Sequence, residues 1–206
     1  MTWLYKYTPL YEAAMLALYG RHYHSRYQAV ADLIPANATV LDLCCGPAIL
    51  FTRYLRQKSV NYTGLDLSKS FVDRIRVTAP GSRVWNLHDS TPLPKADYVI
   101  MHASLYHFLP DPAPVVERMV QAAQKQMIIA EPVRNTSSSK HPWLASIGQR
   151  LSDPGDGQSA HRFTEETLDR FFVPYRNRVA QRFAIPGGRE MVFVIDASPK
   201  DSHRAP

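Results

Sequence analysis

Cysteine is scarce in this chain. Of 206 residues only Cys44 and Cys45 are cysteine, and they are adjacent. Neighbouring cysteines cannot close an ordinary bridge without severe strain, so no disulfide framework exists. Zinc takes about four ligands, usually from two spaced pairs. No second pair follows here, and the eight histidines are scattered. No apolar run approaches the roughly 20 residues that cross a bilayer. The longest, MIIA at 127–130 and MVFVI at 191–195, have the length of strands. The opening MTWLYKYTPLYEAAMLALYG lacks a clean charged-then-apolar leader pattern. Repeats are absent, and SSS is the one low-complexity stretch. So is the G-x-S-x-G nucleophile elbow. These absences imply no metal, a reducing cytoplasmic setting, and cysteines that pack a turn as small apolar residues.

What is present is ordinary in bulk. The apolar share is 45% and the length suits one domain. Net charge is +6, and 17 of the 24 basic residues are arginine, which grips carboxylate or phosphate with two parallel hydrogen bonds. The excess permits an acidic partner, although a solvated surface is the reading favoured on general grounds.

The chain then falls into a rhythm. Leu10, Ala14 and Leu18, then Tyr19, Tyr23 and Tyr27, recur at four-residue steps and predict a helix over 10–34, closed by Pro35. A tyrosine stripe at that spacing reads first as core packing. After Pro35 short apolar strands alternate with helices. Strands are expected at Val40–Leu41, VNYTGLDL, SRVWNL, DYVIMHA and QMIIAEP. Helices are expected at 48–57, at 69–78 with Ser68 as cap, and from Asp111 and Pro112 to Ala123. Alternation of this kind implies a parallel sheet with crossover helices. Residues 132–162 turn polar and read as a long loop around a short helix at 143–151. Thr164 caps a helix to Phe172, and strands near 177–185 and 189–196, joined by PGG, form an antiparallel hairpin.

Within this frame TVLDLCCGPA is a strand running into a turn, with ILFTRYL as the helix after it. Such a turn presents a ligand at the carboxyl end of the first strand. Gly46 lets the backbone approach that ligand closely. Twenty residues on, Asp66 ends the second strand, where an acid accepts hydrogen bonds from both hydroxyls of a ribose. Together they indicate a nucleoside-containing cofactor. The dinucleotide pattern G-x-G-x-x-G would fall on Cys44, Gly46 and Ile49, so one glycine survives and a pyrophosphate loses its close approach. A cofactor without phosphate asks less of this turn.

These residues resemble class I S-adenosylmethionine-dependent methyltransferases of the small-molecule type. VLDLCCGPA is similar to the family's first motif, D-x-G-x-G-x-G, with Asp42 as the acid, Gly46 as the middle glycine, and Cys44 and Ala48 at the outer glycine positions. The DLCCG variant resembles ubiquinone and menaquinone methyltransferases. YTGLDLS resembles the second motif, which implies that Asp66 binds the ribose and Leu67 packs on the adenine. LHDSTPLP is similar to the segment after the third strand, which implies Asp89 at the adenine amino group and the Ser90 amide at the ring. DYVIMHASLYHFLPD resembles the fourth motif, which places His102 and Ala103 beside the methionine part. HRFTEETL resembles the phrase before the penultimate helix. The resemblance covers about residues 35–131 and implies a Rossmann-like, seven-stranded, mostly parallel α/β sheet with the last strand antiparallel. It also implies S-adenosyl-L-methionine as cofactor. The domain reading is a helical lid at 1–34 and a methyltransferase domain at 35–200, with a lid-like insertion at 132–162.

Methyl transfer asks mainly for positioning in a dry site. A base is needed only where the acceptor has a proton to lose. Among the histidines His107, in SLYHF, is the expected catalytic base, with His102 nearer the strand end and His22 and His24 on the first helix. Tyr11, with Arg21 or Arg26, is expected at the methionine carboxylate. His141, Trp143, Arg134 and Arg162 would give the 132–162 loop an aromatic, cationic surface suited to a small, aromatic or acidic acceptor. A nucleic-acid substrate is disfavoured, because MHAS stands where a base-amino enzyme carries Asn/Asp-Pro-Pro-aromatic. The basic residues Arg176, Arg178, Arg182 and Arg189 keep that rival open, as does a module that binds the cofactor and transfers nothing.

Overall fold

Strands β1 (Thr39–Leu43), β2 (Asn61–Asp66), β4 (Ala96–His102) and β5 (Ala123–Pro132) carry neighbouring buried residues, so both of their faces must be covered. A computed structural model describes residue 16 and residues 19–134 and 162–198. With β3 (Arg83–Val84), β6 (Val179–Ala184) and β7 (Glu190–Asp196), these strands form one sheet of order β3-β2-β1-β4-β5-β7-β6. Pairing is parallel from β3 through β5. Only β7 is reversed, inserted between β5 and β6 and antiparallel to both. The alternating pattern implied the parallel pairing, and the resemblance implied the Rossmann-like, seven-stranded sheet that is observed.

Alternate side chains sort into two cores. Leu41, Leu43, Val99, Met101, Met127, Ile129 and Phe193 pack with α3 (Ala113–Ala122) and α4 (Glu165–Phe172). Val40, Tyr62, Tyr98, Ile100, Ile128 and Val194 pack with α1 (Tyr23–Ala31) and the helical segment Leu50–Leu55. The tyrosine stripe is core: Tyr23 and Tyr27 are buried, and the Tyr27 ring stacks on Tyr54 at 5.9 Å. The helix α2 (Lys69–Ile75) contributes Ile75 to the same layer. Among the described residues no helix is long and apolar enough to cross a membrane.

Several elements differ from the sequence expectation. The first helix is not continuous, because Gly20, at φ +53°, opens a 3-10 turn (Gly20–His22) before α1 begins. Most of the expected stretch before it, Tyr11 included, lies outside the described residues, as do residues 135–161 of the expected loop. The segment after β1 is a π-helical turn, a form that recurs at functional sites. SRVWNL shortens to a two-residue edge strand with both side chains exposed, so no buried face holds a longer one. Ser68 has the extended backbone of a cap, yet its hydroxyl pairs with Ser70 Oγ. Thr164 does cap α4, accepting from the Thr167 amide at 3.2 Å.

Candidate cofactor site

Parallel strands end on a common edge, and the site lies there. The turn after β1 is held by an alternation of left-handed residues: Cys44 at φ 54°, Gly46 at 53° and Ala48 at 50°. All three positions carry glycine in the first motif described above. Here two of them bear side chains, each costing about 1–2 kcal/mol of backbone strain. The loop shape is thus retained although its glycines are not. Ala103, just past β4 and facing the same space, is left-handed too. Strain gathered around a cleft is a mark of function.

A carboxylate holds the loop. Asp66 Oδ2 accepts from the Gly46 amide at 2.8 Å, and Oδ1 accepts from the Ser68 amide at 2.7 Å. Burial raises the Asp66 pKa while the two amides work against it. A carboxylate has about four acceptor positions, so two remain for a ligand. Asp42, buried below the loop, accepts from the Tyr62 hydroxyl at 2.8 Å. Burial still pushes its pKa up to about 7. Burial also pushes both thiols well up, so Cys44 and Cys45 pack as inert groups.

Asp42, Cys44, Cys45, Gly46, Pro47, Ile49 and Leu50 line a cavity of about 480 Å³, counted with its open mouth. Arg26, Tyr27, His102, Ala103 and Ser104 line it too. Of the residues expected to bind a cofactor, Asp42, Cys44, Gly46 and His102 therefore share this cavity. Asp66 is not part of the lining and holds the Gly46 amide of its loop. Leu67 follows β2 with 60% of its surface exposed, an unusual display of a large apolar side chain. Asp89 and Ser90 are exposed beyond β3, and the Asp89 carboxylate accepts from Asn86 Nδ2 at 3.1 Å. His107 lies on the 3-10 turn after β4, exposed, its ring 4.0 Å from that of Tyr106, and is not among the cavity's lining residues.

Sequence reasoning missed the ion cluster behind the cavity. Arg26 from α1 pairs with Glu190 Oε1 at 2.7 Å, and His102 Nε2 lies 3.0 Å from Glu190 Oε2. All three side chains are at least nine-tenths buried, at 3%, 1% and 8% exposure. Burial alone would raise Glu190, but Arg26 and His102 outweigh it and hold it near 2. Burial, reinforced by Arg26, lowers the His102 pKa. The only signal for this cluster in the sequence was Glu190 itself, an acid opening a strongly apolar strand.

A second carboxyl ends β5. Glu131 accepts from the Leu105 amide at 2.9 Å and the Tyr106 amide at 3.3 Å, and so shapes the chain after β4. Burial pushes its pKa from the usual 4.5 up to about 8, with Glu190 adding to the rise and Arg162 opposing it. A pKa raised by folding contributes stability that is complete below the unfolded value and lost as pH climbs through the folded one. Thermal stability is therefore expected to fall between about pH 5 and 9. Glu131→Gln should flatten that decline in melting curves, and an unchanged slope would assign it elsewhere.

Comparison with known proteins bears on the family and the fold. A family model described as a methyltransferase domain matches residues 15–172. A search of curated proteins returned no match. Many solved structures share the fold. A chain of the complex between the Haloferax volcanii Trm112 methyltransferase activator and a methyltransferase superposes with TM-score 0.65 at 17% identity, over 90% of this chain and 94% of that one. Magnesium protoporphyrin IX methyltransferase from Synechocystis, with bound S-adenosylhomocysteine, gives 0.63 at 14%, over 95% and 97%. A SAM-dependent methyltransferase from Aquifex aeolicus gives 0.60 at 13%, over 90% and 98%.

Proposed function

The chain belongs to the methyltransferase-domain family, and from that premise we propose that it carries a methyl group from S-adenosylmethionine to a small-molecule acceptor. The donor presents its methyl on a sulfonium, a good leaving group, so the protein's task is to hold, align and desolvate. The observation that carries the reading is the turn at 42–48, with three left-handed residues, the middle of which, Gly46, donates its amide to Asp66. That carboxylate keeps acceptor positions for ribose hydroxyls, Leu67 offers an apolar face for the adenine, and Asp89 and the Ser90 amide stand where its polar edge would lie. His102 and Ala103 are assigned to the methionine end, with Tyr11 and Arg21 at its carboxylate.

Charge supports a cationic donor. Asp42 lines the cavity and Asp66 backs its loop, and both have raised pKa values, so a positive ligand relieves their burial. Residues 1–34 and 132–162 are assigned to a roof over the acceptor. In support, α1 brings Arg26 and Tyr27 to the cavity wall.

A nucleic-acid acceptor finds less support. Arg182 is engaged by Asp169 and Glu165, and Arg178 donates to the Ala197 carbonyl, so the basic residues near the end are partly spent within the fold. The test has two stages. S-adenosylmethionine should raise the melting temperature where NAD does not; a shift with NAD alone would overturn the donor. S-adenosylhomocysteine should then accumulate with pooled small hydroxyl, amine and thiol compounds. Turnover with RNA or protein alone, losing affinity steeply with salt, would replace the acceptor class. Binding without turnover on any acceptor would leave a cofactor-binding module.

A further inference from the structure

We propose that His102, held in register by Glu190, is the base that removes the acceptor's proton, and that the acceptor is a hydroxyl compound. The proposal rests on the methyl-transfer reading above. Glu190 is ion-paired with Arg26 at 2.7 Å, and an ionised carboxylate only accepts hydrogen bonds. The His102 nitrogen 3.0 Å away, Nε2, must then carry the hydrogen. The neutral ring is left with a bare lone pair on Nδ1. Among the described residues that atom is buried and has no hydrogen-bond partner. A buried lone pair without a donor is uncommon and calls for an explanation. The ring belongs to the cavity lining with Cys44, Gly46 and Ala103, Nδ1 lies beneath that surface, and an acceptor hydroxyl reaching it would complete its bonding.

The ring is also fixed. Tyr27 meets it edge-on at 5.0 Å, and Glu190 anchors its far nitrogen. A base oriented through its second nitrogen by a buried carboxylate is an arrangement that serves proton transfer on unrelated folds. The charged and titratable groups that meet it are Arg26 and Tyr27 from α1 and Glu190 from β7, and Asp42 and Cys44 share the cavity lining with it. Burial and Arg26 keep the resting imidazole neutral, the form a base requires.

The step balances. The acceptor's O–H proton passes to His102 Nδ1 as its oxygen pair closes on the methyl carbon. The C–S pair stays with the sulfur, which becomes a neutral thioether. The imidazolium sits beside Arg26, so its proton is shed to water. Glu190 is a positioning residue that selects the tautomer.

The test uses the whole chain, His102→Gln and Glu190→Gln. Calorimetric titration with S-adenosylhomocysteine comes first. If the wild type does not bind it, the methyl-transfer reading falls, and this proposal with it. Imidazole nitrogen resonances, assigned by their loss in His102→Gln, should show His102 protonated at Nε2 near neutral pH. Glu190→Gln should mix the two tautomers. A wild-type ring protonated at Nδ1 overturns the proposal alone. Transfer is then measured to catechol, whose hydroxyl is protonated near neutral pH, and to 4-nitrocatechol, which is largely ionised. His102→Gln should slow the first by about 10²–10⁴-fold and the second far less. Equal losses, no loss, or a wild type that methylates amines but neither phenol, each overturns it while cofactor binding stands.

Discussion

Arg26→Leu is expected to destabilise the protein by about 3–5 kcal/mol, because it leaves the Glu190 carboxylate buried with no full positive charge beside it. Glu190 is 1% exposed, and its low pKa depends on Arg26 first and His102 second. Without the guanidinium, Glu190 must take up a proton or draw one onto His102, and either course costs free energy at neutral pH. The loss extends to packing, since the guanidinium lies 5.0 Å from the centre of the Tyr27 ring and 4.2 Å from that of Tyr19. Replacing both members, Arg26→Leu with Glu190→Leu, should recover much of the loss, because removing a whole buried pair costs less than stranding half of it. Urea unfolding of the single and double variants measures both effects. A single variant within about 1 kcal/mol of the wild type would mean that water reaches the cluster.

Asp66→Ala is expected to weaken binding of S-adenosylhomocysteine by about 100-fold or more. Two losses add. A ribose loses its acceptors, each hydrogen bond to a charged group being worth about 1.5–3 kcal/mol. The Gly46 amide also loses its 2.8 Å partner, and with it the brace that holds Cys44 and Ala48 in left-handed conformations. Those residues would then relax by about 1–2 kcal/mol each toward ordinary backbone angles, and the loop would have to be rebuilt on binding. Calorimetry gives the affinity, and wild-type affinity in the variant would remove Asp66 from the site. Asp66→Asn separates the two contributions. It keeps an acceptor for one amide but presents a donor to the other, so it should fall between the alanine variant and the wild type.

The order of strands and helices was legible along the chain because each depends on local spacing. Parallel strands buried on both faces need runs such as VIM or MIIA, and crossover helices between them need turns at Gly and Pro. The turn at Gly46 and the acid at Asp66 stood out for the same reason: a strand, a tight turn and a second strand put them a set distance apart. Other features were hidden. Nothing local distinguishes a two-residue β3 from the longer strand that SRVWNL suggests, because an exposed edge lacks the packing that would extend it. Nor does Ala48 announce a left-handed backbone, since that angle is imposed by bonds to Leu65 and Asp66 around the turn.

The sequence alone determined the sheet, its reversed last strand, and the placing of the turn at Gly46 and the acid at Asp66, since each is written in spacings of a few residues. The tertiary structure alone decided which ionisable groups meet. Arg26, His102 and Glu190 come from α1, β4 and β7, and only folding removes the water between them. Pairing among buried charges is set by neighbours in space, whose Coulomb attraction strengthens as the dielectric falls, and that leaves no periodic trace in the chain.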